Sequence, residues 1–168
     1  KKTVARARVY ICGLGYYKLY LNGNRIGNQE LHPAQTDYEK RALYDVYDIK
    51  EYLLKGDNTY GIMLGDGWFA QGAAYLEEFK YGDPCFIFQL EIEYKDGTSE
   101  TIVSDESWEV TSTPILKNNV YAGEVYDARK EIKGWCEPNK EPGKDYFWEE
   151  VTVFKNEPTP SLESHMLP

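Results

Sequence analysis

Apolar and polar residues alternate with a period of two along most of this chain. Four segments show the pattern most clearly: VARARVYI (4–11), RALYDVYDI (41–49), NTYGIML (58–64) and CFIFQLEIEY (85–94). Such alternation is typical of strands that bury one face, and the short apolar runs within it are typical of strands buried more deeply. The pattern therefore predicts a protein built mainly of β-strands.

Turn signals separate the strand-like segments. Asn22-Gly23 stands between two alternating runs, and this dipeptide favours a two-residue hairpin because both positions tolerate a positive φ. Asp96-Gly97 predicts a second turn, leading into TSETIVS and then SWEVTST. A capping-box spacing from Asp48 to Glu51, followed by a stop at Gly56, predicts one or two helical turns.

Many short strands, turn signals about every 8–12 residues and one brief helix predict an all-β sandwich. Three longer irregular stretches interrupt the strands, at 30–40, 65–84 and 113–135. Long loops on a rigid sandwich commonly carry function, so candidate site residues are sought there. The 168 residues suffice for one domain with its own core. We predict this domain over 1–155, and a Pro-rich linker towards a further domain over 156–168.

Charge narrows the range of partners. The formal net charge is −9, which argues against nucleic acid and against an anionic membrane surface, because both need an excess of Lys and Arg. No run approaches the roughly 18 apolar residues of a membrane span. Aromatic residues make up 15% of the chain, led by 15 Tyr, and suit both half-buried strands and binding surfaces. The expected partner is neutral or cationic.

The three cysteines, Cys12, Cys85 and Cys136, are odd in number and lack a C-x-x-C spacing. They favour buried structural thiols or a reducing compartment, so a cytoplasmic location is slightly favoured, although the location is otherwise undetermined. Zinc is rejected and no metal ligand is assigned, because the cysteines and the two histidines are scattered along the sequence, with His165 in the tail.

Four motifs in order carry a resemblance to a known family: the LNG hairpin (21–23), Pro33 with TDY (36–38), GDGW (65–68) and GEVYDAR (123–129). Together they resemble the N-terminal module of bacterial α-L-rhamnosidases, over roughly residues 5 to 155. The resemblance implies a jelly-roll β-sandwich placed ahead of a separate (α/α)₆ catalytic barrel that performs an inverting hydrolysis. It also implies that some relatives of this module bind L-rhamnose with the help of calcium.

The expected function is therefore that of a non-catalytic module of an enzyme that hydrolyses terminal α-L-rhamnose from glycosides. Its expected partners are a rhamnose-containing glycan or glycoside and other domains of the same polypeptide. A scaffold that packs on the barrel without its own sugar site is the alternative. No catalytic residue is assigned, because a carboxylate pair at the separation required for hydrolysis would arise by chance among 28 acidic residues.

The candidate sugar-binding residues lie in the loops. Trp68 and Tyr38 offer rings for the C–H faces of a deoxyhexose, while Asp66, Asp37 and Asn119 offer hydrogen-bonding groups for its hydroxyls. Four of the five have a structural alternative: Trp68 as a ring at the edge of the core, Asp66 as an acceptor for turn amides, and Asp37 in an Asx turn beside a locally bonded Tyr38.

Two further groupings are considered. In GEVYDAR, the favoured interpretation is that Glu124, Asp127 and Arg129 form structural ion pairs; alternation along a strand would also keep Glu124 and Asp127 on opposite faces. The domain is expected to require no cofactor, with calcium as a candidate. Oxygen donors for calcium exist, but no EF-hand spacing does. These donors are Asp37, Asp66, Asn118, Asn119 and Asp127.

Overall fold

The computed structural model describes residues 2–71, 80–139, 146–154 and 161–166. Within these residues the chain is almost entirely β. The strands are β1 (Val4–Leu14), β2 (Tyr16–Leu21), β3 (Asn24–Ile26), β4 (Arg41–Asp48), β5 (Tyr60–Gly65), β6 (Cys85–Tyr94), β7 (Ser99–Val103), β8 (Glu109–Val110), β9 (Ile115–Asn119), β10 (Gly123–Tyr126), β11 (Glu149–Glu150) and β12 (Ser161–Ser164). Two 3₁₀ turns, Lys50–Tyr52 and Ala128–Lys130, complete the described elements.

Two main sheets organise the domain. One has five strands in the order β12-β4-β1-β6-β7, and the other has three in the order β3-β2-β5. Two-stranded ribbons, β10-β9 and β11-β8, lie outside them. All pairings are antiparallel except that of β12 with β4. The predicted all-β class is confirmed, and the architecture is consistent with a sandwich.

The hydrophobic core draws residues from both main sheets. Ile11 of β1, Leu19 of β2 and Phe88 of β6 are almost completely inaccessible to solvent and belong to one cluster. Ile62 and Leu64 of β5 pack against the same cluster. The alternation that predicted these strands therefore corresponds to the burial of one face of each sheet against the other.

The turn predictions differ in outcome. Asn22 and Gly23 have φ of 52° and 78° and join β2 to β3, which confirms the hairpin. The predicted helix is only the 3₁₀ turn Lys50–Tyr52. Asp48 Oδ1 accepts a hydrogen bond from Lys50 N at 3.2 Å, so it caps the second residue after it rather than the third. The capping box therefore does not form.

The predicted linker contains a strand. Residues Ser161–Ser164 pair in parallel with Arg41–Tyr44, and Ser161 N donates to Lys40 O at 3.0 Å. Residues 161–164 of the predicted linker therefore form an edge strand of the five-stranded sheet. The strand has no strong alternation of its own and depends on a partner 120 residues earlier.

The cysteines are free thiols, with Cys12 and Cys136 buried and Cys85 partly so. Burial raises the pKa of Cys12 to about 12, and the nearby Cys85 and Asp45 add to the effect. In the described part of the chain, no helix is both long and apolar enough to cross a membrane.

Candidate functional site

The GDGW loop follows β5 directly and is held against the start of β2. Gly65 pairs with Tyr16 across the two strands, and Ala70 N donates to Asp66 O at 3.0 Å. Gly67 has φ +52°, and a Cβ placed there would lie 2.7 Å from the backbone N of Tyr16. The glycine is therefore required both by its conformation and by the closeness of β2.

A side chain of strand β9 forms a hydrogen bond with the backbone of this loop. Asn118 Oδ1 accepts a hydrogen bond from Asp66 N at 2.6 Å, so the residue that holds the loop is Asn118. Asn119, the residue predicted from the sequence, instead accepts from Tyr121 N and Ala122 N, both at 2.9 Å, and caps its own turn. Adjacent residues on a strand point to opposite faces, so the one-residue difference separates the two roles.

Trp68 is half-buried. Its ring meets that of Tyr121 edge to face, with centroids 5.8 Å apart. Tyr121 is 65% exposed. Burial raises the pKa of Tyr16, and the nearby Trp68 side chain acts in the opposite direction. Trp68 is thus an oriented ring at the surface end of the loop.

The neighbouring rings form the base of the loop. Phe69 and Tyr38 are buried, and their ring centroids lie 5.2 Å apart. Tyr81 stacks on Phe69 at 5.9 Å and meets Tyr38 at 5.2 Å. Burial raises the pKa of Tyr38 to about 12. The structure therefore joins the TDY and GDGW loops through Tyr38, which lies beneath the surface.

The carboxylates of Asp66 and Asp37 differ in their hydrogen-bond partners and in the direction of their pKa shifts. Partial burial raises the pKa of Asp66, with opposition from Lys80 and a contribution in the same direction from Asp83. Within the described ranges, no hydrogen bond reaches the Asp66 carboxylate. Asp37 Oδ1 accepts from Glu39 N at 3.3 Å, as the Asx-turn alternative predicts, and Asp37 forms an ion pair with Lys40 at 2.7 Å. Lys40 is the main reason that the pKa of Asp37 is lowered.

GEVYDAR is stabilised by its own local contacts. Arg129 makes two hydrogen bonds to the Asp127 carboxylate, both at 2.8 Å, and this lowers the pKa of Asp127. The Tyr126 hydroxyl donates to Glu131 at 2.7 Å. Asp127 is therefore occupied by an ion pair, and of the proposed oxygen donors Asp66 and Asn118 are the two that lie together.

Two clefts are lined by residues other than Trp68. A shallow cleft of about 570 Å³ is lined by Val110, Thr111, Ser112, Tyr146, Phe147 and Glu149. A smaller one of about 130 Å³ lies beside Trp135, whose ring meets Tyr20 edge to face at 5.3 Å. Gly61 makes room for Trp135, because a Cβ there would overlap the indole. Sequence reasoning missed both clefts, which depend on how distant segments pack.

The histidines are not scattered in space, which corrects the premise on which zinc was rejected. The rings of His32 and His165 meet edge to face with centroids 4.4 Å apart. Both face Asp45, with His165 Nδ1 at 2.9 Å from Oδ1 and His32 Nδ1 at 3.4 Å from Oδ2. No spacing in the sequence predicts this cluster, because the cluster forms only when β12 pairs with β4.

The loop contacts give a first prediction. Asn118→Ala removes the acceptor of the Asp66 amide, and leaving that partly buried N–H unpaired should cost about 1–3 kcal/mol. Amide hydrogen exchange at Asp66 should then accelerate at least tenfold. The control is Asn119→Ala, which should accelerate exchange at Tyr121 and Ala122 and leave Asp66 protected. Equal protection of Asp66 in both variants would contradict the assignment of Asn118.

The fold and the site together define an all-β domain whose candidate binding residues lie on loops at the edge of stacked sheets. The family model described as "Alpha-L-rhamnosidase N-terminal domain" matches residues 2–168. The chain belongs to this family, which confirms the resemblance carried by the four motifs.

Similarity to individual alpha-L-rhamnosidases supports the same family assignment. The chain is 43% identical over 144 residues to an alpha-L-rhamnosidase of Formosa agariphila, a match that covers 82% of this chain and 15% of the relative. The structure of an alpha-L-rhamnosidase from Dictyoglumus thermophilum aligns over 100% of this chain and 18% of that one, with TM-score 0.87 and 46% identity. The Streptomyces avermitilis alpha-L-rhamnosidase, whose crystal structure is complexed with L-rhamnose, aligns over 88% and 14%, with TM-score 0.78 and 38% identity. The chain thus corresponds to a small part of the length of these relatives.

Proposed function

We propose that this chain is a non-catalytic module of an α-L-rhamnosidase and that it binds rhamnose-containing glycan. The parent enzyme would hydrolyse terminal α-L-rhamnose from glycosides in another domain. Family membership supports the parent activity, and the size of the relatives leaves ample chain for a catalytic domain. We retain the jelly-roll connectivity of the sandwich as part of this proposal.

The observation that carries the binding proposal is the partly exposed Trp68 ring, which meets Tyr121 edge to face in the same loop as the partly buried Asp66 carboxylate. Rhamnose has a methyl group and C–H faces that pack on an aromatic ring, and hydroxyls that donate to a carboxylate. The edge-to-face contact with Tyr121 orients the indole before a ligand arrives. Pre-orientation lowers the entropy cost of binding.

Calcium enters the proposal as an optional cofactor. Ca²⁺ takes six to eight oxygens, and the Asp66 carboxylate and the amide oxygen of Asn118, which accepts from the Asp66 backbone, are donors of the correct kind. Main-chain carbonyls of the loop and hydroxyls of the sugar would have to complete the set. The proposal therefore places calcium in the sugar complex rather than in the folding of the domain.

The test is a titration of the chain with L-rhamnose, with and without calcium, followed by calorimetry. We expect saturable binding at millimolar sugar or below, strengthened by calcium if the Asp66 site holds the ion. The absence of any response at millimolar sugar, from protein that retains its native circular dichroism, would contradict the binding proposal.

Trp68→Ala removes the stacking surface, so we expect it to abolish the calorimetric response to L-rhamnose. The corresponding loss of affinity is at least tenfold. The control is Phe147→Ala, which truncates an aromatic ring that is 79% exposed in the other cleft and should leave the affinity unchanged. Asp66→Asn should weaken binding by several-fold. Full affinity in Asp66→Asn would remove the carboxylate from the site.

A scaffold role is the second candidate, and the 570 Å³ cleft favours it. Phe147 is 79% exposed and Val110 50%, so apolar surface is open to solvent where another domain of the same polypeptide could pack. If docking were the main role, Phe147→Ser should destabilise the longer protein and leave this chain alone unaffected. Release of p-nitrophenol from a rhamnoside by this chain alone would overturn the non-catalytic assignment.

A further inference from the structure

His32, Asp45 and His165 form a partly buried cluster that rhamnose binding at Trp68 does not use. Backbone pairing positions all three residues. Asp45 lies within β4, and His165 N donates to Tyr44 O at 2.8 Å as the backbone leaves β12. His32 O accepts from Tyr17 N at 3.0 Å, which holds the loop beside β2. Three segments far apart in sequence therefore bring two imidazoles and one carboxylate to one point.

The separations in the cluster suit coordination by a metal ion. One ligand atom from each of the three side chains can be chosen so that all lie within 4.8 Å of one another. Zinc bonds of about 2.0–2.2 Å place tetrahedral ligand atoms about 3.3–3.5 Å apart. The His32–Asp45 separation of 3.4 Å already matches this spacing, and the His165–Asp45 separation of 2.9 Å needs to open by only a few tenths of an ångström.

The burial and bonding of His165 show which of its nitrogens faces the cluster. The His165 side chain is 2% exposed, and its Nδ1 contacts Asp45, whereas among the described residues its Nε2 has no hydrogen-bond partner. Nδ1 is therefore the nitrogen that this buried ring offers to an ion together with Asp45 and His32. Asp45 and His32 are 11% and 14% exposed, which leaves a small path for an ion to enter.

The Asp45 carboxylate is held by a hydrogen bond from a second residue, as carboxylates that bind metals commonly are. The Tyr17 hydroxyl donates a hydrogen bond to Asp45 Oδ2 and lies 3.1 Å from the Tyr47 hydroxyl. Tyr17 is itself buried. Such outer partners fix the orientation of ligands and increase metal affinity.

We propose that His32, Asp45 and His165 bind a divalent transition-metal ion of the zinc class. Two neutral imidazoles and one carboxylate carry one negative charge, and this donor set suits Zn²⁺ far better than Ca²⁺ or Mg²⁺, which prefer oxygen. Three protein ligands leave a fourth position for water. The ion joins β12 to β4 and to the His32 loop, and it is separate from any calcium at Asp66.

The experiment uses the untagged chain, stripped with a chelator and titrated with Zn²⁺ by calorimetry. The chain has only two histidines, so long-range ¹H–¹⁵N spectra report on both imidazoles without ambiguity. We expect one equivalent of Zn²⁺ to bind and to shift a ring nitrogen of both histidines. Absence of binding at micromolar Zn²⁺ by folded protein, or binding that leaves both imidazole spectra unchanged, would overturn the proposal.

Variants sharpen the test. His32→Gln and His165→Gln should each weaken Zn²⁺ binding more than tenfold, and Tyr17→Phe, which keeps the ring and removes the support of Asp45, should weaken it about tenfold. Cys85→Ser is the control and should bind as tightly as the parent chain. Unchanged affinity in both histidine variants, or thiolate-to-metal absorption with Co²⁺, would assign the ion elsewhere and overturn the proposal. Should either histidine variant fail to fold, the imidazole spectra of the parent chain decide.

Discussion

Gly15→Ala is expected to lower the free energy of unfolding by about 3–5 kcal/mol, the largest loss we expect from adding one methyl group to this chain. Gly15 is buried between β1 and β2 with φ +113°, a conformation that residues with a Cβ rarely adopt. A Cβ there would overlap the carbonyl oxygen of Gly65 and lie 3.3 Å from the Pro84 side chain. The overlap involves backbone, so it cannot be relieved by a side-chain rotation. Urea denaturation followed by circular dichroism measures the loss.

Gly56→Ala provides the matched control. Gly56 has the same φ of +113°, but nothing lies within 4 Å of the position its Cβ would occupy. The control therefore includes the conformational cost of about 1–3 kcal/mol without the overlap. The difference between the two variants isolates the close approach of the Gly15 backbone to the base of the GDGW loop. Equal losses in the two variants would mean that this close approach does not constrain the loop.

Phe88→Ala is expected to cost about 3–5 kcal/mol, because it removes a fully buried ring from the centre of the core. The ring lies 5.7 Å from that of Tyr60 in the three-stranded sheet and 5.4 Å from that of Trp108, measured between centroids. The truncation would therefore leave a cavity between the two main sheets. The midpoint of urea denaturation should fall accordingly.

Ile87→Ala is the control for the core variant. Ile87 is the preceding residue on β6 and is 55% exposed on the opposite face. Truncation there should cost less than about 1 kcal/mol, since surface changes away from special features are small. If the two truncations had similar effects, the placement of the core between the two main sheets would be wrong.

The sequence predicted the long strands well because their burial is periodic and local. Residues 85–94 match β6 at both ends, and Asn22-Gly23 forms the predicted hairpin, since a two-residue turn depends on the conformational preferences of its own residues. The short strands were not predictable in the same way. β12 has no strand signal of its own, because it is defined by its pairing with β4, a contact that no local pattern encodes.

The candidate site was predictable in part. The GDGW loop was identified from its glycines and rings, and the structure orients Trp68 at its surface end. The roles of the residues around this loop could not be predicted from the sequence, because they depend on the direction in which each side chain points. Asn118 rather than Asn119 holds the loop, and Tyr38 lies under it. The sequence does not predict the contact between the two histidines, because they are brought together by the same pairing of β12 with β4.

The proposed contact between Trp68 and L-rhamnose is tested most directly by the indole N–H signals of the chain. The four tryptophans give four such signals in a ¹H–¹⁵N spectrum, and the one that disappears in Trp68→Phe belongs to Trp68. We expect added L-rhamnose to shift the Trp68 signal and to leave that of Trp108, packed on the core, in place. A saturated titration in which the Trp135 or Trp148 signal moves and the Trp68 signal does not would contradict it.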